Sequence, residues 1–148
     1  MDTLLVEKQT TNTREEFLPL NGTDFIELYV GNAKQSAHFY KTAFGFQSLA
    51  YSGLETGNRE CASYVLRQGK ITLILTTPYN SSSPVAEHIK NHGDGVKVIA
   101  FTVDDAEYSF AQTTERGAEP FLFPTVKSDA DGEIKIAGIK TYGEVIHL

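Results

Sequence analysis

Apolar and polar residues alternate through DFIELYV (24–30), placing Ile26, Leu28 and Val30 on one face and Phe25, Glu27 and Tyr29 on the other. That is the period of a half-buried strand. In GNAKQSAHFYKTAFGF the period lengthens: Ala33, Ala37, Tyr40 and Phe44 recur at helical steps, and Gly45 is placed to stop the helix. Three strands follow in FQSLAYSG, ECASYVLRQ and KITLILTT. Gly53 and Gly57, in the polar loop GLETGNRE, and then Gln68-Gly69 separate them. In SSSPVAEHIKNHGDG, Ser83 caps a short helix (84–92), Pro84 opens it and Gly93 closes it.

The order then repeats. VKVIAFTV (96–103) is a strand. DDAEYSFAQTTERG is a helix, with Asp104 and Glu107 spaced as a capping box and Gly117 at its end. EPFLFPTV, EIKIAGI and EVIHL read as three more strands, and Pro120 and Pro124 confine the first to a sheet edge or an irregular strand. A shift of about 73 residues lays Ile26 on Ile99, Val30 on Val103 and Ala33 on Ala106; near the end, Leu73 falls on His147. The chain therefore reads as an α+β domain over 23–148, built from two βαβββ modules (about 23–80 and 95–148) joined by helix 84–92. Residues 1–22 are polar and aperiodic, a flexible lead-in.

Composition narrows the function classes. A chain of 148 residues, 41% hydrophobic and 22% charged, can bury a real core. Its net charge of −6 argues against a nucleic-acid or anionic-membrane surface. No apolar run is long enough to span a bilayer, and the N-terminus lacks a secretory pattern. A single cysteine, Cys61, excludes an internal disulfide and a cysteine-rich zinc site, so a reducing cytoplasm is expected. No base is identified for Cys61, so it does not read as a nucleophile. His38 reads as a surface histidine. His88 and His92 are four apart, a spacing that can hold a metal, but no third ligand is evident nearby, so they read as a solvated pair. HGDGV precedes a strand and does not match a phosphate loop.

Two facing βαβββ modules with helices outside resemble the vicinal-oxygen-chelate (glyoxalase-like) superfamily, in which a divalent metal sits in the cup between the sheets. The resemblance implies ligands at first- and last-strand positions, which here are Phe25, Leu73, Val98 and His147. Phe, Leu and Val cannot bind a metal, and one histidine is not a site. Glu27, two residues along the face of Phe25, adds a carboxylate at most. The five are expected to line an apolar cup, with His147 a packed, hydrogen-bonded residue and no metal, cofactor-binding or catalytic residue in the chain.

YVGNAKQSAHFYKTAFGF, SGLETGNRE, RQGKITLIL, HGDGVKVIAFTVDD, ERGAEPF and TYGEVIHL together resemble the N-terminal half of 4-hydroxyphenylpyruvate dioxygenases. That family uses Fe(II) and O₂ to convert 4-hydroxyphenylpyruvate to homogentisate and CO₂ in tyrosine catabolism. The resemblance implies that iron is held by two histidines and a glutamate of a C-terminal catalytic half, which this chain would pack against. It also implies that the chain alone is inactive, with no bound iron and no cofactor of its own. The exposed mating surface would favour a dimer. Three alternatives stay open: a stand-alone, metal-free small-ligand-binding module with Glu27 and His147 as polar contacts, the equivalent half of a hydroxymandelate synthase, and a natural short relative instead of a chain trimmed to one domain.

Overall fold

The computed structural model describes residues 16–129 and 132–148. The elements run β1 (Gly22–Tyr29), α1 (Ala33–Phe44), β2 (Gln47–Ser52), β3 (Cys61–Gln68), β4 (Ile71–Pro78), α2 (Pro84–His92), β5 (Gly95–Thr102), α3 (Ala106–Glu115), β6 (Pro120–Ser128), β7 (Glu133–Lys140) and β8 (Ile146–His147). The βαβββ order thus occurs twice, with α2 between the copies. The expected lead-in falls mostly on residues outside those described. From residue 16 onward the chain lies against the second module: Arg116 stacks over the Phe17 ring, and Asn21 bonds Asp104 and the carbonyl of Thr102.

All eight strands form one sheet in the order β2-β3-β4-β1-β5-β8-β7-β6. Each module contributes four neighbouring strands, and β1 and β5 pair antiparallel to join them. The two last strands pair parallel to their first strands, β4 with β1 and β8 with β5. β6 is an edge strand, as its two prolines require.

Local chemistry explains the helices. Asn32 caps α1 by accepting from the Gln35 amide, and Gly45 ends it in the left-handed conformation at φ 76°. Ser83 caps α2, with Pro84 in its first turn. α3 differs from the expected capping box. Asp105 is the cap, accepting from the amides of Glu107 and Tyr108, while Asp104 is used one residue earlier to hold Asn21.

α1 and α3 cover the same face of the sheet. Beneath α1, Ala33 and Ala37 admit close approach to a core of Val30, Phe46, Leu66, Leu73 and Leu75. Phe44, expected in that stripe, is 55% exposed; the aromatic that enters the core is Phe46, just past the left-handed turn at Gly45. α3 buries no residue fully, and between it and the sheet lies a cavity of about 630 Å³, with Leu18, Phe101, Ala106, Phe110 and Ala137 in its wall.

Candidate functional site

Strand register divides the five expected cup residues between two faces. Glu27 stands opposite Val98 across the β1–β5 ladder, and Phe25 opposite Ala100. Directly paired residues share a face, so Glu27 and Val98 lie together on the side away from α1 and α3, while Phe25, beside an irregularity in the ladder, also borders the cavity under α3. Leu73 pairs with Ile26, and His147 with Ile99. Both therefore point to the helix side, which corrects their placement in the cup. Leu73 is 8% exposed and belongs to the core beneath α1. His147 lies edge-on to Phe101, ring centroids 5.2 Å apart, in the wall of the cavity under α3. Burial holds its pKa below the usual histidine range, so the ring is neutral near pH 7.

The open face carries a polar chain. Thr76 donates to Glu27 Oε1 at 2.7 Å, and the hydroxyls of Ser63 and Thr76 are 2.8 Å apart. Burial pushes the Glu27 carboxyl up, and the Thr76 hydrogen bond offsets part of that rise. Tyr29, next on the same face, is pushed up to about 12, chiefly by burial and then by Glu27. Nothing in this set can hold iron: Phe25 and Val98 offer carbon only, and Glu27 is a single carboxylate already bonded to Thr76.

The raised Glu27 carboxyl has a consequence for stability. The folded state binds this proton more tightly than the unfolded chain, whose carboxyl titrates near 4.5. Its stabilising contribution is present below that value and is lost as pH rises through the raised one. Glu27→Gln keeps an acceptor for Thr76 without the charge. The variant is expected to unfold at higher urea concentration than the wild type at pH 7, with the gap closing as pH approaches 4.5. An equal gap at both pH values would refute the burial argument.

A second cluster lies elsewhere, and sequence reasoning found two of its three members. His88 Nδ1 and His92 Nε2, one turn apart on α2, each lie 3.2 Å from Oε2 of Glu144. The expectation of a solvated pair fails for His88, which is 6% exposed and packs edge-on to Tyr29 at 5.4 Å. Glu144 was missed because it lies 56 positions from His88; no local spacing signals it. Of the remaining residues singled out, His38 is exposed. Cys61 contacts the Asn58 amide, and Asp94 of HGDGV accepts from the Gly31 amide.

Two βαβββ modules sharing one sheet, with α1 and α3 on one face, define an α+β domain of the vicinal-oxygen-chelate class. The comparisons with known proteins agree. A variant of 4-hydroxymandelate synthase from Streptomyces coelicolor superposes with TM-score 0.82 at 32% identity, over 88% of this chain and 38% of that one. Methylmalonyl-CoA epimerase from Mycobacterium tuberculosis superposes at 0.70 with 16% identity, over 89% of this chain and 88% of that one, a likeness of fold alone. The family model described as hydroxyphenylpyruvate dioxygenase, HPPD, N-terminal, matches residues 15–148, and the chain belongs to this family. The 4-hydroxyphenylpyruvate dioxygenase of Danio rerio is 46% identical over 82% of this chain and 31% of its own length. That of Coccidioides posadasii is 44% identical over 85% and 35%. The chain thus spans about a third of the length of the curated relatives it matches. Among the described residues no helix is long and apolar enough to cross a membrane.

Proposed function

We propose that this chain is the non-catalytic N-terminal half of a cytoplasmic 4-hydroxyphenylpyruvate dioxygenase, and that Fe(II) and the oxidative chemistry of tyrosine catabolism belong to a C-terminal half. The observation that carries this reading is the pairing of a family match over residues 15–148 with carbon side chains, Phe25 and Val98, at the expected first-strand ligand positions. The role left to the chain is to present a packed surface to its partner. A candidate for that surface is the β6–β7 edge, where Phe121, Phe123, Val126 and Ile134 are about half exposed or more. An exposed apolar edge strand favours association, so the chain alone is expected to self-associate as a dimer.

One experiment tests both parts. The isolated chain, given Fe(II), O₂ and 4-hydroxyphenylpyruvate, is expected to form no homogentisate and to sediment as a dimer. Co-expression with the C-terminal half of a related enzyme is expected to restore turnover and to replace that dimer by a mixed complex. Homogentisate from the isolated chain, or a monomer at high concentration, contradicts the corresponding part. Hydroxymandelate as the product of the restored complex would assign the chain to the synthase instead.

The cavity under α3 favours a second reading, a metal-free small-ligand module. Its volume of about 630 Å³ falls in the range of ligand pockets. Glu27 and His147 cannot both contact one ligand there, since they face opposite sides of the sheet. His147, Ser109, Thr113 and Lys135 are among the polar groups in its wall that such a ligand could meet, and calorimetry with small aromatic acids shows or excludes saturable binding.

A further inference from the structure

α2 follows the first module and Glu144 belongs to the second, in the turn between β7 and β8. That turn is well defined. Thr141 and Val145 bond across it, Val145 donates back to Tyr142, and Gly143 takes a positive φ of 60°. Lys97 Nζ donates to the Glu144 backbone carbonyl at 2.6 Å, which fixes the residue that presents the carboxylate. On the helix side, the two imidazoles stand at i and i+4 with ring centroids 4.6 Å apart. His88 is held by burial and by Tyr29; His92 is 43% exposed and Glu144 54%.

His88 Nδ1, His92 Nε2 and a carboxylate oxygen of Glu144 all lie within 4.8 Å of one another. In a tetrahedral site with ligand bonds of about 2.0–2.1 Å, neighbouring ligand atoms are about 3.3 Å apart. Two edges of such a triangle are already 3.2 Å long. The third is no longer than 4.8 Å, with the more exposed His92 ring on one end of it. Both nitrogens already face the carboxylate, and a bound ion would take the place of the protons shared with it.

We propose that His88, His92 and Glu144 form a divalent transition-metal site of the zinc class that clamps helix α2 to the β7–β8 turn and so ties the two modules together. Two imidazoles and one carboxylate suit zinc, cobalt or nickel. Calcium and magnesium, which need six or more oxygens, find too few here. The exposed side of His92 and Glu144 leaves the remaining coordination to water. The site does not depend on the reading of the chain as a dioxygenase half.

The test is a titration of the tag-free, metal-stripped chain with Co(II), followed by visible absorption, and with Zn(II), followed by calorimetry. One ion per chain is expected, with ligand-field bands in the visible and a rise in melting temperature on adding Zn(II) but not Mg(II). Glu144→Gln and His92→Ala alter partly exposed side chains and leave the fold intact. Each is expected to weaken binding by about tenfold or more and to abolish the Zn(II)-dependent rise in melting temperature. Absence of one-to-one binding, or binding unchanged in both variants, overturns the proposal. Product formation plays no part in this readout, so its outcome is separate from that of the turnover experiment.

Discussion

Leu75→Ala is expected to destabilise the protein by about 3 kcal/mol, within the 2–5 kcal/mol seen when a buried leucine is truncated. Leu75 is fully buried. It lies at the middle of the core, with Leu28 beside it on β1 and Tyr64 beside it on β3, under a helix whose contact residues are the small Ala33 and Ala37. The strands on either side are held by their own ladders, so the space left by the missing atoms collapses poorly. For a domain of this size, about 3 kcal/mol lowers the melting temperature by roughly 6–12 °C. Thermal unfolding followed by circular dichroism reads this directly. A shift of under about 2 °C would mean that the core repacks and that α1 rides loosely on the sheet. Because β1 is shared between this core and the β1–β5 ladder, the loss is expected in one transition, not in a separate melting of the first module.

Gly53→Val is expected to cost about 1–3 kcal/mol through overcrowding. The backbone there is extended, with φ −178°, so any residue could adopt it. The obstacle is space. A Cβ on Gly53 would fall on the hydroxyl end of Tyr51, with the Tyr79 hydroxyl 3.0 Å away. Tyr51 is not free to leave, since its ring lies 4.8 Å from that of Tyr64 and its hydroxyl donates to Glu55 at 2.8 Å. Gly53 itself anchors the following 3-10 turn: its amide bonds the Thr56 hydroxyl, and its carbonyl accepts from the amides of Thr56 and Asn58. The chain has seven tyrosines and no tryptophan, so tyrosine fluorescence reports displacement of this ring as well as the unfolding midpoint. An unchanged spectrum and midpoint would show that the valine is absorbed without moving Tyr51.

The module order was legible because each element carries its own period and its own stop. Gly45, Ser83 and Gly93 mark helix ends by local hydrogen-bond chemistry, and all three act there in the structure; Asn32, the cap of α1, was not singled out. The equivalence of Leu73 and His147 was also legible, and both indeed stand beside matching isoleucines on β1 and β5. Which face they occupy was not. A strand's two faces differ by one residue of register, and both faces of these central strands carry apolar residues. Leu73 lies between Thr72 and Ile74, so hydropathy alone did not orient it. The carboxylate of the histidine cluster was hidden for a different reason. Its position depends on where the β7–β8 turn lands relative to α2, a tertiary fact that leaves no trace around Glu144.

The antiparallel pairing of β1 with β5 bears on how the chain emerges during synthesis. The first module is complete once β4 has been made, in the order β2-β3-β4-β1, with β1 at its edge. Until β5 follows, that strand offers a bare row of amides and carbonyls to any passing chain. Vectorial synthesis at roughly 5–20 residues per second leaves this interval at seconds. Nascent chains on one messenger are therefore open to pairing through β1, and the short spacer that contains α2 keeps the wait for the proper partner brief.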